Sequence, residues 1–189
     1  MSPSVQSAFD AVPRIEFLPR GMRKFWQSDR PLPLVQGQTN SQPSTVAAML
    51  DLLDVRPGHR VLDVGAGSGW TTALLAHLVG RDGFVLGVER IAVLALGAQD
   101  TLDGTGPWPQ AEVRVATPGV LGAPAEAPFD RILVSAEAKK LPRSLVKQLG
   151  PEGIMVIPVD GVMTKVERRD GTTNITQHGL YVFVPLIED

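Results

Sequence analysis

The residues with the clearest chemical signature follow an apolar run that ends in an acid and opens into alternating glycines. Residues 60–70 read RVLDVGAGSGW, in which Asp63 stands two positions before the first of three glycines. Glycine has no Cβ, so its backbone can take positive φ and let a ligand approach the main chain closely. Residues 71–79 have a helical pattern, and the N-terminus of that helix faces the same crevice. The sequence therefore predicts a strand that ends at a ligand-binding turn.

A second acid stands at the distance expected of a ribose-binding carboxylate. The apolar run 84–88 predicts the neighbouring strand, and Glu89 ends that strand about 20 residues after the glycine turn. Gly65, Gly67 and Gly69 differ from the dinucleotide pattern, in which the third glycine comes one residue later and a pyrophosphate rests on the helix. This spacing favours a nucleoside cofactor and resembles motif I of the class I S-adenosylmethionine-dependent methyltransferases, whose cofactor has no phosphate. Taken alone, alternating glycines also occur as simple punctuation between a strand and a helix.

Length and composition indicate one compact enzyme domain. The chain has 189 residues, of which 43% are hydrophobic, and this length allows a sizeable core within one domain. The net charge of −2 argues against broad binding to nucleic acid or to an anionic membrane, and the basic cluster Arg20, Arg23 and Lys24 fits a solvated helix end. The chain has no cysteine, which excludes disulfides, zinc-thiolate sites and thiol nucleophiles, and no metal site is predicted.

The expected location follows from targeting signals. No apolar run reaches the length of a helix that spans a bilayer, and residues 1–4 lack the charged start and apolar core of a secretory signal. A cytoplasmic protein with no membrane partner is therefore the default expectation. A monomer is expected as well.

Apolar runs alternate with helical patterns along the chain, which predicts a parallel sheet covered on both faces. The predicted strands after the first are 84–88, 112–116, 131–134 and 153–158. The predicted helices between and before them are 43–53, 71–79, 91–102 and 142–149. After residue 158 the pattern changes, and segments 163–169 and 180–184 on either side of a polar turn at 170–174 predict a long antiparallel hairpin.

A more specific similarity lies just before the glycine turn. Residues 36–43 read QGQTNSQP, and this segment resembles the signature of the protein-L-isoaspartate O-methyltransferase family. Further short motifs follow in the order of that family, at residues 11–17, 32–34, 128–134, 141–142, 148–149 and 183–186. The resemblance thus covers nearly the whole chain. It implies an α/β fold with a doubly wound, mostly parallel, seven-stranded Rossmann-like sheet and a C-terminal antiparallel hairpin.

The resemblance also implies a reaction. In this family the methyl group of S-adenosylmethionine is transferred to the α-carboxylate of an L-isoaspartyl residue in a damaged protein or peptide, and the ester then closes to a succinimide, which permits repair. A carboxylate is ionised at neutral pH because its reference pKa is about 3 to 4, so the nucleophile needs no general base. His59, His77 and His178 lie outside the matching motifs and are not expected to catalyse.

Site residues follow from the same resemblance. Ser41 is expected to act at the reacting groups, and its alternative role is an N-cap of the helix that begins at Pro43. The segment that binds the peptide or protein substrate comprises Thr39, Ser41, Gln42 and Pro43. The residues expected to bind S-adenosylmethionine are Asp63, Gly65, Ala66, Gly67, Ser68, Gly69, Glu89, Arg90 and Thr117. Residues 1–42 would form a cap with the substrate segment, and residues 43–189 the cofactor-binding core of a single domain.

The chain departs from the family pattern at several positions. Asn40 replaces the usual Ile, Trp70 replaces the usual Tyr, and Glu137 stands where the family is apolar or rich in proline. After the third strand, residues 116–119 read ATPG where the family carries Gly-Asp-Gly, whose acid or adjacent backbone holds the adenine amino group. Two alternatives therefore stay open: methylation of another carboxylate, such as an aspartyl side chain in a peptide, and a binding protein that keeps the fold but has weak cofactor affinity.

Overall fold

The computed structural model describes residues 1–187. Near the N-terminus, β1 (Leu32–Pro33) and β2 (Thr39–Asn40) form a short antiparallel pair. The described residues also form a central sheet of seven strands, β3 (Arg60–Val64), β4 (Phe84–Glu89), β5 (Ala111–Val115), β6 (Phe129–Val134), β7 (Leu149–Val159), β8 (Val162–Arg169) and β9 (Thr172–Leu180).

The strand order is β5-β4-β3-β6-β7-β8-β9. The pairs from β5 to β7 are parallel, whereas β8 runs antiparallel to both β7 and β9. The chain leaves β3 toward β4 and β5, then returns to the other side of β3 with β6. This reversal is a topological switch point, where the carboxyl ends of neighbouring strands open a crevice for a ligand.

Helices cover the sheet. They are α1 (Pro3–Ala11), α2 (Pro43–Leu53), α3 (Trp70–Val79), α4 (Ala92–Thr105) and the single turn α5 (Arg143–Val146), with short 3₁₀ segments at Arg14–Phe17, Arg20–Phe25 and Val35–Gly37. None of these described helices combines the length and apolarity needed to cross a bilayer.

The two faces of the sheet bury different side chains because neighbouring residues of a strand point to opposite faces. In β3, Val61 packs in the core that α1 to α4 share, while Leu62 packs in the core on the other side. α3 is apolar on nearly all sides and is buried along most of its length. Such a helix needs cover all round, and α1 and β4 are among the elements that contact it.

Three predicted elements are wrong in their bounds, and one of them is the strand predicted over 153–158, which begins at Leu149. The helix predicted over 142–149 is only one turn, because Gly150 and Pro151 follow closely and Leu149 already belongs to β7. The second hairpin strand is Thr172–Leu180 and not 180–184. The turn consists of Asp170 and Gly171 alone, both with positive φ, which is the geometry of a two-residue hairpin.

Candidate active site

An open cleft of about 260 Å³ lies at the switch point, at the carboxyl ends of β3, β4 and β6. Its wall is built from segments far apart in sequence, at 38–41, 64–68, 70–71, 88–90, 116–118, 120–122, 135–136 and 184–187. The predicted substrate segment and the predicted cofactor turn therefore face the same cavity. The last segment is held there because Glu137 N donates to Val184 O at 2.8 Å and Leu186 N donates to Glu137 O at 2.7 Å.

The glycine turn owes its shape to backbone conformations that side chains rarely adopt. Gly65, Gly67 and Gly69 have φ of 81°, 56° and 84°. The turn is tied to the neighbouring strand because the N–H groups of Gly65 and Ala66 both donate to Val88 O, at 2.9 and 3.2 Å. α3 begins directly after the turn with no side-chain cap. Its N-terminal end is therefore available to a negatively charged or polar ligand group in the cleft.

Glu89 is held in place by two backbone donors. The residue is 6% exposed, and its Oε2 accepts from Gly67 N at 3.0 Å while Oε1 accepts from Ile91 N at 2.9 Å. A carboxylate offers about four lone-pair positions, so the two oxygens still have capacity for further donors. Because Glu89 lines the cleft, this preset orientation suits a group with two adjacent hydroxyls, as the sequence predicts for the ribose.

Asp63 lies below the surface of the cleft and does not line it. Its side chain is fully buried, and Oδ2 accepts from the hydroxyls of Thr71 and Thr72 at 2.8 and 2.7 Å. Within residues 1–187, Oδ1 has no hydrogen-bond partner. Burial raises the pKa of Asp63 to about 6, although the two threonine hydroxyls oppose this shift, and the charge of Glu89 adds to it. A buried acceptor without a donor fits a cationic group bound above it.

Besides Asp63, one predicted cofactor residue, Gly69, supports the cleft from behind. Gly69 does not line the cavity, and a Cβ at this position would lie 3.1 Å from Ala98 Cβ on α4. Arg90, by contrast, is exposed and lines the cleft. The glycine turn thus presents Gly65 to Ser68 to the cavity, while its last glycine allows α3 to pack closely on α4.

Thr39 and Ser41 lie at the rim of the cleft, whereas Gln42 and Pro43 do not line it. The alternative role of Ser41 as an N-cap is wrong. α2 has Gln42 as its N-cap residue without a side-chain cap, and Asp29 Oδ1 accepts from Ser44 N at 2.9 Å instead. Hydrogen bonds from Ser44 and Gln42 lower the pKa of Asp29. Because Asp29 supplies the cap, the Ser41 hydroxyl is not needed for this helix.

Arg14 and Asn40 are functional candidates that sequence reasoning missed. Arg14 is only 3% exposed, and its guanidinium lies 5.4 Å from the centre of the Trp70 ring. Desolvation by burial lowers the pKa of Arg14 to about 10. Arg14 Nε donates to Asn40 Oδ1 at 2.6 Å, and Nη2 donates to Ser41 O at 2.8 Å. Burial of both residues has no signature in the sequence, since arginine and asparagine are usually exposed.

The opposite end of the cleft carries the segment that departs from the family pattern. Thr117 O accepts from Val120 N at 3.0 Å, and Gly119 has φ of 72°. Proline and glycine at the two central positions are typical of a type II turn. Pro118 has no N–H group to offer, and the carbonyl of Thr117 is used within the turn. Among the described residues that line the cleft, Glu89 is the only one with a carboxylate.

The three histidines lie away from this cleft. His59 Nδ1 accepts from Arg56 N at 3.1 Å in the turn before β3. His77 contacts Ser7 at 3.2 Å, and His178 contacts Thr176 at 2.7 Å. None of the three is therefore placed to take a proton from a group bound in the cleft.

Residues 1–189 match the family of protein-L-isoaspartate(D-aspartate) O-methyltransferases. The chain belongs to this family. A protein-L-isoaspartate O-methyltransferase of Methanopyrus kandleri is 48% identical over 97% of this chain and 83% of its own length. A second one, of Aeropyrum pernix, is 46% identical over 97% of this chain and 72% of its own length.

A solved structure shares the fold. The crystal structure of a Plasmodium falciparum protein assigned to the same family, in complex with S-adenosyl-L-homocysteine, has a TM-score of 0.86. It covers 100% of this chain, which covers 92% of it in turn, at 23% identity. These similarities confirm the predicted family, the Rossmann-like fold class, a methyltransferase activity and S-adenosylmethionine as cofactor.

Proposed function

We propose that this cleft transfers a methyl group from S-adenosylmethionine to the α-carboxylate of an L-isoaspartyl residue in a peptide or protein. One observation carries the proposal: a single cavity brings together the substrate segment at Thr39 and Ser41, the glycine turn and Glu89. The relatives are named for the same reaction. S-adenosylmethionine would supply an electrophilic methyl group on a sulfonium. The protein would bind the cofactor and the acceptor and orient them toward each other.

The cofactor would be held by Asp63, Glu89, Arg90, Thr117 and the glycine turn. Glu89 would accept hydrogen bonds from two ribose hydroxyls, since its carboxylate is already oriented by Gly67 N and Ile91 N. The free oxygen of Asp63 would attract the positive charge of the amino acid part from below. Gly65 to Ser68 line the cavity and would approach the ligand through backbone. The residues present thus fit a nucleoside that carries a cationic amino acid and no phosphate.

The acceptor carboxylate would be its own nucleophile. It is ionised at neutral pH, so no side chain has to remove a proton, and the position of the histidines is consistent with this. Catalysis would come from holding the carboxylate in line with the methyl group and from stripping water from it. Ser41 would bind the acceptor at the rim, with Thr39 beside it. Gln42 and Pro43 would act indirectly by fixing the start of α2.

A substitution at Ser41 tests this role. Ser41→Ala should lower kcat by about 10- to 100-fold and leave the dissociation constant of the cofactor nearly unchanged, because the hydroxyl acts on the reacting groups. Calorimetry with S-adenosyl-L-homocysteine and a methylation assay would measure the two quantities. Ser144→Ala is the matched control, since Ser144 is exposed and lies outside the cleft. A Ser41→Ala variant with parental kcat would remove Ser41 from the mechanism.

We also propose that the chain works as one domain and as a monomer in the cytoplasm. Residues 1–42 are joined to the core by α1 against α3 and by Trp70 Nε1, which donates to Val12 O at 3.1 Å. The cap therefore shares the buried core with residues 43–187. Light scattering should give the mass of one chain, 20.2 kDa. Twice that mass would contradict the monomer.

A further inference from the structure

Asn40 connects the substrate segment to the cofactor turn. It is 4% exposed, its Oδ1 accepts from Arg14 Nε at 2.6 Å, and its Nδ2 donates to Ser68 Oγ at 2.9 Å. Ser68 belongs to the glycine turn and lines the cleft. Both ends of the amide are thus used, one toward the cap and one toward the cofactor site.

Arg14 determines which way the amide faces. A guanidinium only donates hydrogen bonds, so the atom of Asn40 next to it has to be the carbonyl oxygen. The guanidinium itself is fixed, because it also donates to the carbonyl oxygens of Ser28, Arg30 and Ser41 at 2.9, 3.0 and 2.8 Å. Rotation of the Asn40 amide by half a turn would bring two donors together. The amide nitrogen therefore always points at Ser68.

The orientation of the amide sets the polarity of Ser68. An amide nitrogen only donates, so Ser68 Oγ has to accept in this contact. The hydroxyl hydrogen of Ser68 is then directed elsewhere, and the open side of this residue is the cleft. A serine hydroxyl without this neighbour would rotate between donating and accepting.

We infer that Asn40 is a positioning residue that, held by Arg14, fixes the Ser68 hydroxyl as a hydrogen-bond donor toward the cofactor cleft. The inference rests on the proposed binding of the cofactor across the glycine turn. It gives Asn40, which itself lines the cleft, a role that acts through Ser68. The same arginine holds the backbone of Ser41, so the two halves of the site share one anchor.

The decisive variant is Asn40→Asp. The introduced carboxylate still accepts from Arg14 Nε, so the buried guanidinium keeps its partner. Its other oxygen accepts from Ser68, which reverses the hydrogen bond and draws the hydroxyl hydrogen away from the cleft. Asn40→Asp should therefore weaken S-adenosyl-L-homocysteine binding about tenfold in calorimetry, with the melting temperature kept within a few degrees.

Ser68→Ala distinguishes the effect of the orientation of the Ser68 hydroxyl from the effect of the negative charge that Asn40→Asp adds. It should weaken binding by a similar factor, and the double variant should bind no more weakly than either single variant, since both changes remove the same donor. Thr164→Val is the matched control, because Thr164 is a buried polar residue on β8 that does not line the cleft, and its hydroxyl donates to Val162 O at 3.2 Å. This control should bind like the parent.

Three outcomes would overturn the inference. The first is that Asn40→Asp binds S-adenosyl-L-homocysteine as tightly as the parent does, while Ser68→Ala binds it more weakly. The second is a double variant whose loss equals the product of the two single losses, which would assign the Asn40→Asp effect to its charge. The third is parental affinity in Ser68→Ala. If the parent protein itself does not bind S-adenosyl-L-homocysteine, the proposed cofactor site fails, and that result differs from all three.

Discussion

The two ends of the cleft differ in how many hydrogen bonds hold their groups in place. At the glycine turn, Glu89 accepts from two backbone N–H groups, and the N–H groups of Gly65 and Ala66 bind Val88 O. At the other end, residues 117–120 form an exposed turn that is closed by one hydrogen bond between Val120 N and Thr117 O. The glycine-turn end thus has a carboxylate within a network of hydrogen bonds, whereas the turn at residues 117–120 offers only the hydroxyl of Thr117.

This difference indicates where the cofactor gains its binding free energy. Buried and preorganised hydrogen bonds to a charged group contribute more than contacts at an exposed turn. We therefore expect the ribose and amino acid parts to be bound firmly, and the base to rest against an apolar wall that includes Val120 and Leu121. Substitutions at the two ends should have effects of different size and sign.

The largest effect is expected at Glu89. If Glu89 binds the ribose as proposed, Glu89→Ala removes two charge-assisted hydrogen bonds, each contributing about 1.5 to 3 kcal/mol. It also frees the backbone donors of Gly67 and Ile91. The affinity for S-adenosyl-L-homocysteine should fall at least about 100-fold in calorimetry. Glu112→Ala on β5 is the control, since Glu112 pairs with Arg114 outside the cleft. Unchanged affinity in Glu89→Ala would contradict the ribose assignment.

At neutral pH the ionised Asp63 should lower the free energy of unfolding and strengthen cofactor binding. Its folded-state pKa is about 6 against an ordinary value of 3.8, so the folded protein holds this proton more tightly than the unfolded chain. The contribution of Asp63 to the free energy of unfolding therefore falls as pH rises from about 4 to 6, and stays level above that range. Relative to its value below about pH 4, the free energy of unfolding at neutral pH is lower by on the order of 3 kcal/mol because of Asp63.

Asp63→Asn removes both the loss of unfolding free energy and the negative charge that is proposed to attract the cofactor. At about pH 7 the variant should resist denaturant better than the parent, and the advantage should shrink at about pH 4.5. Its affinity for S-adenosyl-L-homocysteine should be lower than that of the parent at neutral pH, and it should lack the decline below about pH 6 that is expected of the parent. Denaturant titrations and calorimetry at both pH values measure these quantities. An advantage that is equal at both pH values would show that the charge of Asp63 is not its cause.

The smallest effect is expected at the base end. Thr117→Asp supplies an acceptor for the adenine amino group, and binding of S-adenosyl-L-homocysteine should tighten by a few-fold, up to about tenfold. Thr117→Val is the comparison variant, because it keeps the shape and lacks the hydroxyl. If Thr117→Asp gives no gain while Thr117→Val weakens binding, the threonine hydroxyl already serves the base, and the contrast between the two ends is smaller than proposed.

The sequence was most informative where backbone geometry is demanding. The glycine turn and the strand that ends at Glu89 were predicted correctly, because positive φ and the alternation of strand and helix leave marks in local sequence. The bounds of β9 were missed, since an exposed edge strand of threonine and glutamine lacks an apolar pattern. Arg14 was missed for another reason: its hydrogen-bond partners lie up to 27 residues away in the sequence, and the Trp70 ring beside it lies further still.

Two peptides that differ only in the position of one carboxylate would show whether the protein methylates L-isoaspartyl residues. One peptide contains a single L-isoaspartyl residue, and the other is identical except for a normal L-aspartyl residue at that place. The free carboxylates differ in distance and direction from the backbone, so the protein should methylate the first peptide and not the second when S-adenosylmethionine is supplied. At saturating S-adenosylmethionine the rate should be flat from about pH 6 to 8, because no histidine base titrates in the mechanism. Equal methylation of both peptides, or of neither while S-adenosyl-L-homocysteine binds well, would contradict the account and favour another carboxylate acceptor.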